Sequence, residues 1–272
     1  MGKHILLIND LPGYGKVALA AMMPVLSHMG HHLYNLPTAL VSNTLDYGKF
    51  DILETTEYMK NSLAVWEELG FSFDAIATGF IVSKAQARLI ADYCEAQRKK
   101  GTYIFVDPIM GDEGHLYNGV PDETVDHMRR LISVADCIVP NYTEAALLAG
   151  IPYREEGASE EEMRKIIDTL RRIGAGSVVV TSAKVDGDHV VAGYDEVSGT
   201  YFVLSFVEIP VRFPGTGDIF SSVLLGHTEK GMPLRQAVQK AMDTVVTLIQ
   251  RNRESQDKFK GIPIEKELEV IG

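Results

Sequence analysis

Short runs of aliphatic and β-branched residues alternate with longer stretches in which apolar positions recur three and four apart. That alternation predicts a βαβ architecture with a mainly parallel sheet. Strands are expected at Ile5–Asn9, Ala39–Ser42, Ala75–Thr78, Tyr103–Asp107, Cys137–Val139 and Val178–Thr181. Between them, Val17, Ala21, Val25 and Met29 mark one amphipathic helix, and Met59, Leu63, Trp66 and Leu69 mark another. Ser83-Lys84-Ala85-Gln86 has the spacing of a capping box whose helix reaches Lys100 and stops at Gly101. Ser159-Glu160-Glu161-Glu162 opens a further helix that ends near Gly174. Beyond Thr181 the rhythm changes: His189–Tyr194 and Tyr201–Phe206 read as a hairpin or meander, with turn signals at Asp186-Gly187 and Ser198-Gly199. Two closing helices are expected over 218–230 and 234–252, the second opened by Pro233, and the polar stretch Arg251–Lys260 is expected to be exposed. With no long linker, repeat or low-complexity tract, residues 1–272 read as a single domain.

Composition narrows the class. The 46% hydrophobic and 23% charged residues are ordinary globular values and exclude a disordered chain. The net charge of −11 argues against a nucleic-acid partner, so a bound polyanion must be held by local backbone donors, a helix terminus or a metal ion. No apolar run approaches the roughly 18–20 residues of a membrane-spanning helix. The start, Met1-Gly2-Lys3-His4-Ile5, runs directly into a strand and carries no signal-peptide pattern. Cys94 and Cys137 stand alone in apolar surroundings, as buried thiols of a reducing compartment do, and a cytoplasmic location is expected.

The candidate chemistry gathers at three places. In Phe213-Pro214-Gly215-Thr216-Gly217-Asp218, glycines precede the apolar helix Ile219–Gly226, where backbone N–H groups and the helix dipole favour an anion. An aspartate in that first turn suits a base that takes a proton from an alcohol while the glycine loop stabilises a transferring phosphoryl group. It equally suits a plain helix cap. Val106-Asp107-Pro108-Ile109-Met110-Gly111-Asp112 ends a strand in acids, and Val139-Pro140-Asn141-Tyr142-Thr143-Glu144 ends another and opens a helix. Ligands of parallel α/β sheets bind at such carboxyl ends, where oxygen donors suit Mg²⁺, although each acid taken singly also reads as a cap or surface group. Gly13-Tyr14-Gly15-Lys16 lacks both the spacing and the hydroxyl of a P-loop, and no acid follows at the distance a dinucleotide site requires. His28, His31 and His32 read as a solvated helix end, and Tyr201 and Phe202 as packing.

Together, Gly215-Thr216-Gly217-Asp218, Asp107-Pro108 and Asn141-x-x-Glu144 resemble the ribokinase-like superfamily of small-molecule kinases. Ser42-Asn43-x-x-x-Tyr47-Gly48-Lys49-Phe50 and Asp107–Asp112 point more narrowly to a resemblance to the pyridoxal kinase family. The resemblance implies a three-layer α/β/α sandwich with a mainly parallel central sheet, usually a homodimer. It also implies ATP- and Mg²⁺-dependent phosphorylation of the 5′-hydroxymethyl group of pyridoxal, pyridoxine or pyridoxamine, in some members with a monovalent cation. It casts Asp218 as the base and Gly215, Thr216 and Gly217 as the anion hole. Asp107 and Glu144 would organise Mg²⁺ and the ATP phosphates, with Asn141, Thr181 and Ser182 on the nucleotide side. Asp10, Thr38, Val41, Tyr47 and Phe80 would face the substrate.

Three positions depart from that pattern. Asp10 stands where relatives commonly carry a serine, Phe80 replaces a tyrosine, and Lys16-Val17-Ala18 lacks a usual Gly-Asn pair. An aspartate pairs with a protonated ring nitrogen or amine, which shifts the expected preference toward pyridoxamine. No cysteine lies near Gly215, which separates the chain from cysteine-bearing bifunctional relatives. The competing readings are a kinase of the same fold acting on hydroxymethylpyrimidine or another small alcohol, and a ligand-binding relative without turnover.

Overall fold

A computed structural model describes residues 2–117 and 120–271. Strand β1 (His4–Pro12), helix α1 (Ala18–His28) and strand β2 (His32–Val41) open the chain, followed by β3 (Ile52–Glu54), α2 (Thr56–Glu68) and β4 (Ala75–Thr78). Next come α3 (Lys84–Arg98), β5 (Tyr103–Val106), the short strands β6 (Gly111–Asp112) and β7 (His115–Leu116), and α4 (Thr124–Ile132). They are followed by β8 (Cys137–Ile138), α5 (Tyr142–Ala149) and α6 (Glu160–Ile173). The strands β9 (Ser177–Val185), β10 (Asp188–Asp195) and β11 (Thr200–Ser205) precede α7 (Thr216–Glu229) and α8 (Leu234–Asn252). The chain forms two units, one from Met1–Val82 with Ile209–Gly272, the other from Ser83–Glu208.

In the first unit the strand order is β4-β1-β2-β3, with β1 parallel to β2 and β4, and β3 antiparallel at the edge. Ile5, Leu6, Leu7 and Ile8 are all fully buried, as a continuous apolar run requires of a strand covered on both faces. Helix α1 buries Leu19, Met22, Val25 and Leu26, and α7 buries Ile219, Val223, Leu224 and Leu225. Gly226 lets α7 approach Met29 closely, since a β-carbon there would meet its sulfur at 2.4 Å. Along β1 and β2, Asn9 faces Pro37 but Leu11 faces Leu40, so Thr38 and Ala39 together oppose Asp10. This bulge re-aims the ends of both strands.

In the second unit the order is β11-β10-β9-β8-β5, parallel from β5 through β9 and antiparallel beyond. The turn between β6 and β7 holds Glu113 at φ 49° and Gly114 at φ 84°, the paired left-handed residues of a tight hairpin. Asp186 and Gly187 repeat this between β9 and β10, at φ 50° and 92°. A second bulge lies in β9, where Thr181 and Ser182 oppose Val191 alone and Ser182 takes φ 51°.

The α/β reading and the mainly parallel sheets stand, and the structure adds or corrects several elements. β3 is exposed at all of its residues, β6 and β7 are too short to show a period, and α4 lacks a side-chain cap, so none was legible. Helix α3 ends at Arg98 rather than Lys100. His31 is buried, not solvated: its Nε2 lies 3.2 Å from the Gly226 carbonyl and its Nδ1 accepts from the Lys3 N–H at 3.3 Å. The stretch Arg251–Lys260 is largely exposed, as expected, apart from buried Asn252, and Asp257, Phe259 and Lys260 bond to Tyr47, Thr44 and Lys16. Cys94 and Cys137 are free and buried, and burial pushes both thiols up to about 12. Among the described residues no helix is long and apolar enough to cross a membrane.

Candidate active site

In the first unit the site grows from the end of β1 and the start of α7. Gly215 caps α7 at φ 84°, and a β-carbon there would come within 2.2 Å of the Lys16 carbonyl, so only glycine serves. The Thr216 hydroxyl donates to the Phe213 carbonyl at 3.1 Å, and the first intrahelical bond is made by Ile219 N–H to the Gly215 carbonyl. The N–H groups of Thr216 and Gly217 precede that bond, at the positive end of the helix. Asp218, in this first turn, accepts from Asn9 Nδ2 at 3.3 Å, from the Ala18 N–H and from its own N–H. Burial outweighs these donors and pushes Asp218 up to about 6.

Asp10 follows Asn9 on β1 at the bulge. Burial and then the Asp218 charge push its carboxyl up to about 7. Its N–H donates to Asn9 Oδ1 at 3.0 Å, and the same oxygen accepts from the Phe80 N–H at 2.8 Å. The Thr38 hydroxyl donates to the Phe80 carbonyl at 2.8 Å. Asn9 therefore joins Asp10, Asp218, Phe80 and, through Phe80, Thr38 in one network. Val41 closes β2, and Tyr47 lies in the 3-10 turn that follows. The Val41 carbonyl accepts from Gly13 N–H at 2.6 Å, and the Tyr47 hydroxyl donates to Asp257 Oδ2 at 2.6 Å. Asn43 shapes this loop by donating to the Thr44 and Lys49 carbonyls at 3.0 and 2.9 Å, which gives the Ser-Asn motif a physical role.

A strap from the late part of the chain fastens these loops. The Lys260 carbonyl accepts from Lys16 N–H at 2.7 Å, the Phe259 carbonyl from the Thr44 hydroxyl at 2.6 Å, and Glu265 pairs with Lys16 Nζ. Gly261, at φ 75°, packs where a β-carbon would lie 2.7 Å from the Lys16 carbonyl and 3.0 Å from that of Pro214.

The second unit carries a separate acidic group. Asn141 caps α5 in a reciprocal box: its Oδ1 accepts from Glu144 N–H at 2.9 Å while Glu144 Oε2 accepts from Asn141 N–H at 2.8 Å. Glu144 Oε1 accepts from Met110 N–H at 3.0 Å and Gly111 N–H at 3.5 Å, and Asn141 Nδ2 donates to the Gly111 carbonyl at 2.8 Å. Burial and the Asp107 charge raise Glu144 well above the usual carboxylate range in spite of those donors. Thr181 joins through its backbone, with its N–H on the Pro140 carbonyl at 2.9 Å, and Ser182 is exposed at the bulge. Among the described residues no three His, Cys, Asp or Glu side chains converge to hold a metal.

Sequence reasoning missed Asn9, Ala18, Asp257 and Lys260. Asn9 had a signal, as a polar residue closing the apolar run Ile5–Ile8; the structure buries it to 1% exposure. Ala18 had none: it takes φ 48°, which its residue type does not announce.

The sequence matches the family described as phosphomethylpyrimidine kinase over residues 20–262. It is 30% identical to a pyridoxal kinase of Arabidopsis thaliana over 204 residues, which cover 72% of this chain and 64% of that relative. Among solved structures, a Bacteroides thetaiotaomicron protein provisionally named a phosphomethylpyrimidine kinase, in a crystal form with pyridoxal, superposes with a TM-score of 0.94. It is 33% identical, over 100% of this chain and 96% of its own. The pyridoxal kinase of Lactobacillus plantarum superposes with a TM-score of 0.89 at 29% identity, over 99% and 96%. The fold is therefore ribokinase-like, and the chain belongs to the phosphomethylpyrimidine kinase family.

Proposed function

We propose that this protein is an ATP-dependent kinase that phosphorylates the 5′-hydroxymethyl group of a vitamin B6 vitamer, with residues 1–272 as one kinase domain. The observation that carries the reading is Asp218, a half-buried carboxylate pushed up to about 6 in the first turn of a glycine-capped helix. A base of that strength accepts the proton of a substrate hydroxyl near neutral pH. The N–H groups of Thr216 and Gly217, at the helix's positive end beyond the Gly215 cap, suit the charge of a transferring phosphoryl group. Asp10, Thr38, Val41, Tyr47 and Phe80 form the substrate side, and Asn141, Thr181 and Ser182 belong to the nucleotide side.

Mg²⁺ fits Asp107 and Glu144. They are oxygen donors whose mutual repulsion a divalent cation relieves, and water would complete the coordination that two carboxylates leave open. When bound, the ion neutralises phosphate charge that a protein of net charge −11 does not. We extend the reading to a cytoplasmic homodimer that takes neither nucleic acid nor membrane as partner; a monovalent-cation requirement is tested by replacing K⁺ in the assay.

The family's description favours a second reading, a kinase for hydroxymethylpyrimidine. ADP release measured with pyridoxal, pyridoxine, pyridoxamine and hydroxymethylpyrimidine side by side tests both. Turnover confined to the pyrimidine replaces the B6 reading, and no turnover with any alcohol leaves a ligand-binding relative.

A further inference from the structure

We infer that Asn9 is the positioning residue of the site: its side chain fixes the Asp218 carboxylate against the two substrate-side positions Asp10 and Phe80. The orientation of the amide is determined by its partners. Oδ1 accepts two backbone N–H groups, from Asp10 at 3.0 Å and Phe80 at 2.8 Å, so it must be the oxygen. Nδ2 is thereby delivered to Asp218 Oδ1 at 3.3 Å and to Met22 Sδ at 3.5 Å. Gly79 closes the pocket from the other side, since a β-carbon there would lie 2.4 Å from the Asn9 amide. An asparagine that is 1% exposed, with both ends of its amide engaged, has no room to rotate. The groups facing the Asp218 carboxyl are Asn9 and Asp10 from β1, the Ala18 N–H from α1 and its own N–H from α7. Asn9 is the side-chain donor of this set and opposes what burial and Asp10 do. It favours the ionised form and holds Oδ1 in place. The inference rests on the kinase reading for the identity of the base, and on geometry for the rest.

Asn9→Asp tests it, because aspartate keeps the shape and still accepts from both N–H groups while losing the donor. The expected result is an acid limb of kcat/KM displaced upward by about one pH unit and a rate about tenfold lower on that limb. KM for ATP should shift less than about threefold. A purely structural role predicts a pH profile that superimposes on wild type, and that result overturns the inference. A double-mutant cycle in thermal stability adds a readout independent of turnover. Asn9→Asp should lower Tm strongly in the wild type and weakly in the Asp218→Asn background, where amide and carboxylate have exchanged places. Additive losses, or failure of both Asn9→Asp proteins to fold, also overturn the inference; folding of the double variant alone supports it. If the wild type turns over no alcohol, the kinase reading fails while the cycle still decides whether Asn9 and Asp218 are coupled.

Discussion

Asp218 and Asp10 are neighbours in the same network with different expected fates on substitution. Asp218→Asn should reduce kcat by roughly 10²–10⁴-fold, the range for loss of a general base, with ATP affinity little altered. Near-normal turnover by a folded variant would remove Asp218 from that role. Because burial holds its carboxyl at about 6 and the base must be ionised, kcat/KM should fall about tenfold per unit as pH drops below that value. Asp10 borders the base, and its own burial and then that base's charge push its carboxyl up to about 7. Raised to about 7, Asp10 is partly protonated near neutral pH, and a cationic amine or ring nitrogen favours its ionised form, whose bonds to cations are roughly twice as strong as neutral ones. The Asp10→Ser variant should therefore lose preference for pyridoxamine over pyridoxal, read as the ratio of kcat/KM values; an identical ratio in both proteins makes Asp10 structural. At this scale the sequence announced the charged and glycine positions, because their chemistry is visible in the residue type. It marked Asn9 only as a polar residue closing an apolar run and did not announce Ala18; their parts depend on a fixed amide orientation and a left-handed backbone.

Helix starts explain which elements were readable. Ser159 and Glu162 make the full reciprocal box on α6, and the paired donor and acceptor types stand at the required spacing in the sequence. Ser159→Ala should cost about 1 kcal/mol of stability, seen as a lowered Tm, and leave kcat unchanged because the cap lies away from every proposed role. Glu144 uses the same motif differently. Its box caps α5, yet its other oxygen accepts from the turn after β5, so one buried carboxylate joins two loops. Glu144→Gln should raise the Mg²⁺ concentration needed for half-maximal rate, measured by titration at fixed ATP; an unchanged requirement would reduce Glu144 to a cap. The two bulges, at Asp10 opposite Thr38 and Ala39 and at Thr181-Ser182 opposite Val191, lie beside proposed functional residues. Neither was legible, because a one-residue slip between paired strands leaves no mark in the periodicity of either. β3 was invisible for a simpler reason, since a strand with every residue exposed has no apolar face to alternate.

For the molecule as a whole, the proposed kinase reading makes a divalent ion the counterweight to an excess of negative charge and an anionic co-substrate, so chelation with EDTA should abolish turnover and added Mg²⁺ restore it. Activity retained in EDTA would refute that scheme. The alternation of strands and helices made the α/β class legible, whereas the long-range bonds that brace the loops were not, since nothing local in Arg251–Lys260 indicates where it docks. The strap has a consequence for the order in which the protein assembles. Lys16 and Glu265 are 249 residues apart, and Thr44 and Phe259 are 215 apart. Closing such long loops is entropically unfavourable until the intervening strands have paired. Secondary structure should thus return early in refolding, while the glycine cradle stays unbraced until the strap arrives. In a refolding experiment, catalytic competence should lag the far-ultraviolet signal, leaving a transient species that looks native in its backbone and is blind to phosphate.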